Sequence, residues 1–489
     1  MARLSDLPVE IIALIADHFT TRDTFKTLTL VSRFCEQQFG HYLWQHVKVD
    51  NLHSGRQLLP VLNKHAHSIF SLCLNGQVHK DYYNTFPRLV TFQQHYTEHD
   101  DANPEVVSST LSGFLQRHPT IQNITITARP GLRLSEEFWD TVFYSLSNPT
   151  QLKIDGIQDM ATDGGTGGSA FQRACSRFEE IGYSGIDQSG LELQNMDFSR
   201  LQRLAYSTLN MSDGPSGVWE WMGRCRNLTR LHWKGLMTVS ELAIATELQV
   251  WPFLEDFSLG DVSGSDEELA ALIGYLPPLK HLRLSSWKFG PTCYNVLRDR
   301  HLASLRTLSI PGSNWHSSRI NMSVLQHFVH LEEFEASFTC LRDLLVGPRP
   351  WVCQGLRRLR VNFESDPDRQ GLTNLLFHWL SKMTQLEELD ISRYPRAVCT
   401  HRSRYYGQWP QFTLGVRYFE RLATLKQLKI FRFHGVAQRL KACDVEWMLK
   451  HWPMLEELGP CHFPDPETLE RVNALLRQRG LPLCTAGTE

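Results

Sequence analysis

The chain has 489 residues, a formal net charge of −2, 42% hydrophobic and 21% charged residues. That balance suits a folded, soluble protein, provides no overall drive toward nucleic acid or anionic membrane, and includes no apolar run near the ~18 residues of a membrane span. Such a length exceeds what one hydrophobic core supports, whereas a solenoid escapes the limit because each unit buries its apolar face against its neighbours.

Met1 to Pro8 lacks the basic-then-apolar layout of a signal peptide. The eleven cysteines are scattered, without a CxxC pair, which fits a reducing compartment with thiols such as Cys225 and Cys353 filling space. The expected location is cytoplasmic and/or nuclear.

A helix is predicted from Pro8, whose missing N–H suits a first turn, with Glu10 at the positive end. Ile11, Ile15 and Phe19 form its stripe, widened by Ile12. Thr20, Thr21 and Asp23 supply turn and cap chemistry. Phe25, Leu28, Val31 and Phe34 or Cys35 then recur at helical spacing, Tyr42-Leu43-Trp44 closes the segment, and Val47 and Val49 alternate as in a strand. A helical unit of about 45 residues is marginal alone.

Leu4-x-x-Leu7-Pro8-x-Glu10-Ile11, then Leu30-Val31-Ser32-Arg33, then Leu43-Trp44, resembles an F-box. The resemblance implies a three-helix module over residues 1–49 that docks onto the Skp1 adaptor of a cullin–RING ubiquitin ligase. It assigns the docking face to Leu4, Leu7, Pro8, Ile11, Ile12, Ile15, Leu28 and Val31, with Trp44 in the internal core near the join to the rest of the chain. The plainer alternative is a helical cap on the open end of a solenoid.

From residue 201 the chain carries ten cassettes of the form L-x-x-L-x-L, starting at Leu201, Leu228, Leu254, Leu279, Leu305, Leu331, Leu356, Leu386, Leu425 and Leu455. The first six intervals, each about 26 residues, fall in the leucine-rich-repeat range of roughly 20–29. Positions 1, 4 and 6 are expected inside, with alternating strand residues outside: Leu279, Leu282 and Leu284 buried, His281, Arg283 and Ser285 exposed. Between cassettes, Ser265-Asp266-Glu267-Glu268 has capping-box form, Leu269, Leu272, Ile273 and Leu276 follow at helical spacing, and Pro277-Pro278 stops the run. Leu325, Phe328 and Val329 repeat this role, as do Trp447, Met448 and Trp452. The predicted fold is α/β: a small three-helix F-box, then a curved leucine-rich-repeat solenoid with parallel strands on the concave face and mostly helices on the convex face.

Residues 50–200 show degraded cassettes at Leu72, Leu89–Phe92, Ile121, Leu152 and Phe178–Tyr183, with Leu191-x-Leu193 as a stray strand. The expected domains are therefore an F-box at 1–49, irregular repeats at 50–200, regular repeats at 201–480 and a flexible tail at 481–489. A glycine-rich loop is expected near 157–170, without the Gly-Lys-Ser/Thr of a phosphate cradle. A second insertion near 393–412 carries Arg404, Tyr405, Tyr406 and Trp409, residue types enriched at binding hot spots, either as a recognition loop or folded back as packing.

The outward positions alternate in charge: Arg230, His232 and Lys234, then His281 and Arg283, Glu333 and Glu335, Arg358 and Arg360, Glu388 and Asp390, and finally Lys429. These rows either pair along the sheet, each exposed pair worth ~0–1 kcal/mol, or select a protein partner by complementarity. The acidic rows interrupt any continuous basic track for nucleic acid. Arg230, Lys234, His281 and Arg283 could hold an acidic or phosphorylated segment, with Asp256 opposing. No HExxH, G-x-S-x-G or kinase signature occurs, and Cys461-His462 lacks ligand spacing. The expected protein is a non-catalytic substrate-recognition adaptor of a Skp1–cullin–F-box ligase, with no cofactor or metal, an unknown protein target and no membrane partner. The alternative is a leucine-rich scaffold without target degradation.

Overall fold

The computed structural model describes residues 11, 22–49, 59–76, 86–96, 103–128, 132, 134–156, 167–184, 198–207, 224–238, 251–285, 289–311, 318–345, 349–364, 370–392, 419–434, 440–459, 463 and 465–484. Contacts divide the chain into two compact units, Met1–Thr229 and Arg230–Glu489.

The first unit begins with helices α1 (Arg22–Val31) and α2 (Arg33–Phe39). Ser32 starts α2 as an N-cap, its side chain accepting from the Cys35 N–H at 3.1 Å. Seven parallel strands come next: β1 (His46–Val49), β2 (Ser71–Asn75), β3 (Thr91–His95), β4 (Asn123–Thr127), β5 (Gln151–Asp155), β6 (Glu180–Ser184) and β7 (Arg203–Ser207). Each pairs with its successor in chain order. Helices α3 (Pro104–Arg117), α4 (Glu136–Ser145) and α5 (Gly167–Cys175) connect β3 to β4, β4 to β5 and β5 to β6. The irregular cassettes therefore each supply a strand of the sheet, with other apolar residues replacing some of the leucines. Phe178, Ile181 and Tyr183 are buried at positions 1, 4 and 6. After β5 the chain turns at Gly156, φ +78°, where a Cβ would meet the Ala128 carbonyl oxygen at 1.9 Å. No L side chain fits there.

The second unit carries β8 (Arg230–Thr238), β9 (Asp256–Ser263), β10 (His281–Ser285), β11 (Thr307–Ile310), β12 (Glu333–Cys340), β13 (Arg358–Glu364), β14 (Glu388–Asp390), β15 (Ile430–Arg432) and β16 (Glu457–Leu458). All run parallel in chain order. Between them lie α6 (Asp266–Tyr275), α7 (Pro291–His301), α8 (Ser318–His327), α9 (Gln370–Leu380) and α10 (Ala442–His451), and α11 (Pro466–Gln478) comes after the last strand. Parallel strands joined by helices result from the alternation of a period-2 cassette with a period-3.6 segment. The fourth cassette positions align across the sheet, Leu282 beside Leu308, Phe334 beside Leu359, Leu389 beside Phe431, and all six are buried. Ser265 forms the expected capping box, accepting from Glu268 N–H at 3.2 Å while Glu268 accepts from Ser265 N–H at 2.8 Å.

Four expectations need correction. The cassette placed at Leu425 starts at Leu428: Phe431 and Phe433 are buried, Ile430 faces outward, and Phe431 registers with Leu389. Val329 is 48% exposed, because it sits in the turn after α8. Gly167 and Gly168, placed in a loop, open α5. Leu481–Cys484, placed in a flexible tail, is held by Asn473, whose side chain accepts from Cys484 N–H at 2.9 Å and donates to its carbonyl at 3.2 Å. The rest of the glycine-rich loop (157–166), Leu191-x-Leu193 and the insertion at 393–412 lie outside the described residues.

Candidate protein-interaction surface

The sheet register sorts the outward side chains of the second unit into two rows. One runs Arg230, Asp256, His281, Thr307, Glu333, Arg358, Glu388, Ile430, Glu457. The other runs His232, Ser258, Arg283, Ser309, Glu335, Arg360, Asp390, Arg432. Neighbouring strands lie about 4.8 Å apart, so opposite charges in these rows meet. Glu333 pairs with Arg358 at 2.9 Å. Glu335 accepts from the Ser309 hydroxyl at 2.7 Å. Glu388 takes Arg360 at 2.9 Å and Arg432 at 2.8 Å. Arg432 also forms a two-pronged contact with Glu457 at 2.6 and 2.7 Å, which pushes the guanidinium pKa up and holds the Glu457 carboxyl below the usual carboxylate range.

Two predicted contact residues are thereby removed from the surface. Glu388 is 5% exposed and Asp390 1%, because the longer arginines on the flanking strands cover the shorter carboxylates. Lys429 does not stand in either row; it precedes β15 and pairs with Glu387 at 2.8 Å. It belongs to a further line of charges at the second cassette position, where Lys280 meets Glu255 at 2.7 Å and Arg357 meets Glu387. Hydrogen bonds from Lys429 and Arg357 hold the Glu387 carboxyl below its ordinary pKa.

The basic end differs. Arg230, His232 and Lys234 are exposed on β8, as is Arg283 on β10. Arg283 approaches Asp256 only to 3.9 Å. His281 is half-buried and shares a hydrogen bond with the Thr307 hydroxyl at 2.9 Å. Although the His232 side chain reaches solvent, the covered part of its ring lowers its pKa, and the Arg283 and Lys234 charges lower it further against the pull of Asp256.

In the first unit the corresponding face is mainly amide and hydroxyl. A cleft of about 290 Å³ is lined by Asn123, Thr150, Gln151, Glu179, Glu180, Gln202 and Arg203. Glu180 is its hub, accepting from Gln151 at 2.6 Å and Arg203 at 3.2 Å. Sequence reasoning missed this cleft; its signal was a run of polar outward residues in successive cassettes, Asn123, Gln151, Glu180 and Arg203.

At the amino-terminal end, Leu30 and Val31 are 86% and 68% exposed on α1, and Ile11 is 41% exposed. Cys35 and Phe39 of α2 face inward and are buried. Trp44 is half-buried and stacks on His65, centroids 4.4 Å apart. Leu4, Leu7, Pro8, Ile12 and Ile15, the Leu28 side chain, and Arg404, Tyr405, Tyr406 and Trp409 lie outside the described residues.

Three histidines serve structure. His118, His327 and His451 each bond the carbonyl four residues earlier on their helix, at 2.7, 2.7 and 2.8 Å. Burial pushes the Cys353 thiol up to about 12 and the Cys225 and Cys175 thiols up as well, so these sulfurs stay protonated and fill space. Among the described residues no group of three or more His, Cys, Asp or Glu could hold a metal ion, and no helix is long and apolar enough to cross a membrane.

Each unit, taken by itself, is an α/β solenoid of parallel strands joined in chain order. No protein-family model matches the chain, and no curated protein matches it. Among solved structures the chain is similar to an internalin (inlF) from Listeria monocytogenes, with TM-score 0.34 and 13% identity over 81% of this chain and 92% of that one. It is similar to a chain of the Drosophila Toll–Spatzle complex, with TM-score 0.37 and 10% identity over 78% and 56%. It is also similar to a chain of the yeast Rad7–Elc1 complex, with TM-score 0.36 and 12% identity over 94% and 92%.

Proposed function

We propose that the chain is a substrate-recognition adaptor of a Skp1–cullin–F-box ubiquitin ligase, with residues 1–49 docking on Skp1 and the strand face of the repeats holding a target protein. The observation that carries this reading is the ordered motif Leu4-x-x-Leu7-Pro8-x-Glu10-Ile11, Leu30-Val31-Ser32-Arg33, Leu43-Trp44. Exposed Ile11, Leu30 and Val31 support it, since apolar side chains left open beside a polar surface suit a partner. The adaptor contributes no group to ubiquitin transfer. It raises the effective concentration of a target lysine at the charged conjugating enzyme, and the geometry of the repeats sets which lysine arrives.

A scaffold reading, in which the same helices cap the repeats or bind Skp1 without target degradation, has one observation in its favour. Cys35, Phe39, Val47 and Val49 are buried, and β1 pairs with β2 as a repeat strand would. Reconstitution separates the two. Purified chain, Skp1, cullin and RING protein are mixed, and the complex is tested for ubiquitin transfer to a bound partner. Co-elution with transfer supports the adaptor; co-elution without transfer to any bound partner supports the scaffold.

A further inference from the structure

The strand-face charges of the second unit are balanced at one end and unbalanced at the other. From β12 to β16, Glu333, Arg358, Arg360, Glu388, Arg432 and Glu457 all have partners of opposite charge. On β8 and β10, Arg230 and Lys234 make no ion pair among the described residues, and Arg283 has only Asp256 at the limit of contact. Three fixed cations thus face one carboxylate.

The register gives these groups a shape. Ser258 lies between His232 and Arg283, and Gly260 lies between Lys234 and Ser285. The middle strand therefore forms a low floor of Ser258, which is buried, and Gly260, flanked by long side chains roughly 10 Å apart across two strand spacings. Gly260 is used: a Cβ there would come to 3.3 Å from Lys234 Cγ, so the lysine stem lies against the glycine. The result is a trough with Lys234 and His232 on one side and Arg283 on the other.

A carboxylate would neutralise only part of the excess. A phosphate monoester carries about −1.5 to −2 at neutral pH, with three strong acceptor oxygens, and suits both the guanidinium fork and the ammonium point charge. Nucleic acid fits less well, because Glu333 and Glu335 interrupt the basic track further along the sheet.

We propose that the trough over Ser258 and Gly260 holds a phosphorylated serine or threonine of an extended target segment, clasped by Arg283 and Lys234, with Arg230 meeting a flanking acidic residue. The inference rests on the target-holding half of the adaptor reading and is independent of Skp1. His232 reports on it. Burial and the Arg283 and Lys234 charges depress its pKa while Asp256 raises it, so a dianion seated beside it lifts the imidazole pKa.

The test uses the full chain against an immobilised degenerate peptide library centred on phosphoserine, with serine-centred and glutamate-centred libraries and a labelled single-stranded oligonucleotide in parallel. The expected result is retention of the phosphorylated library about tenfold or more above both others, a gap of one decade in affinity. Retention falls by about tenfold or more in K234E/R283E and in the milder K234Q/R283Q, while K382E, at a site off the strand face, leaves it unchanged. The His232 ring resonance titrates at higher pH with phosphopeptide bound. Equal retention of the three libraries, undiminished retention by the folded double variants, or oligonucleotide binding lost in those same variants overturns the proposal. Skp1 affinity, measured on the same proteins, stays at the wild-type value; its absence counts against the adaptor reading and leaves the phosphopeptide result standing.

Discussion

Asp266 serves two helices with one carboxylate. It stands in the first turn of α6, and its side chain accepts from the N–H groups of Gly290, Thr292 and Cys293 at 2.9, 2.8 and 3.0 Å, capping α7. Burial pushes its pKa up, and the hydrogen bonds from Cys293 and Thr292 outweigh that and hold it below the ordinary value. The approach requires glycine at 290, where a Cβ would fall 2.6 Å from Asp266 Cγ. Gly290→Ala is expected to cost about 1–3 kcal/mol by overpacking, read as a lower thermal midpoint. His301 plays a comparable part between repeats: its Nδ1 accepts from Leu279 N–H at 3.1 Å and its Nε2–H donates to the Ile273 carbonyl at 3.2 Å. This requires a neutral ring, and burial lowers its pKa below the ordinary 6.5. The stabilisation is therefore complete above about pH 6.5 and is lost as pH falls from there toward the folded-state value. The thermal midpoint should drop between about pH 7.5 and pH 5.5, and the drop should shrink in His301→Asn, which starts from a lower midpoint at neutral pH.

At the level of strands and helices, the second unit is tied across repeats by ion pairs. Glu388 is the most enclosed of these acids, held by Arg360 and Arg432 on opposite sides. Both arginines keep some solvent contact, so Glu388→Ala should cost only about 1–2 kcal/mol, less than a fully buried pair. Repeat proteins respond locally. Faster amide exchange is expected in β13, β14 and β15, with β2 to β5 unchanged; uniform exchange across both units would contradict this. The strand–helix alternation could be read from sequence because apolar spacing switches period at each cassette. Three details could not. Leu425-x-x-Leu428-x-Ile430 and Leu428-x-x-Phe431-x-Phe433 both satisfy the cassette form, and only the pairing of Phe431 with Leu389 selects the second. Glu388 and Asp390 occupy outward positions that local pattern marks as exposed, and their burial comes from arginines on neighbouring strands, the nearer of them 28 residues away along the chain. The cleft around Glu180 escaped for a related reason, since its polar lining comes from several successive repeats and has no motif of its own.

At the scale of the whole molecule, the repeats build a support, and function depends on what its exposed surfaces meet. The charged rows beyond β11 are largely spent on one another. Among the described residues, the cations of β8 and β10, the polar cleft of the first unit and the apolar residues of α1 are groups open to partners. The adaptor reading joins the first and last of these. It is tested most directly by titrating Skp1 against the intact chain and against Ile11→Asp/Leu28→Asp, with circular dichroism confirming that the variant is folded. Tight binding by the intact chain, weakened about a hundredfold or more in the folded variant as expected for removal of hot-spot contacts, is the predicted result. No binding by the intact chain, or equal binding by both, would contradict the assignment of residues 1–49 as the Skp1-docking module.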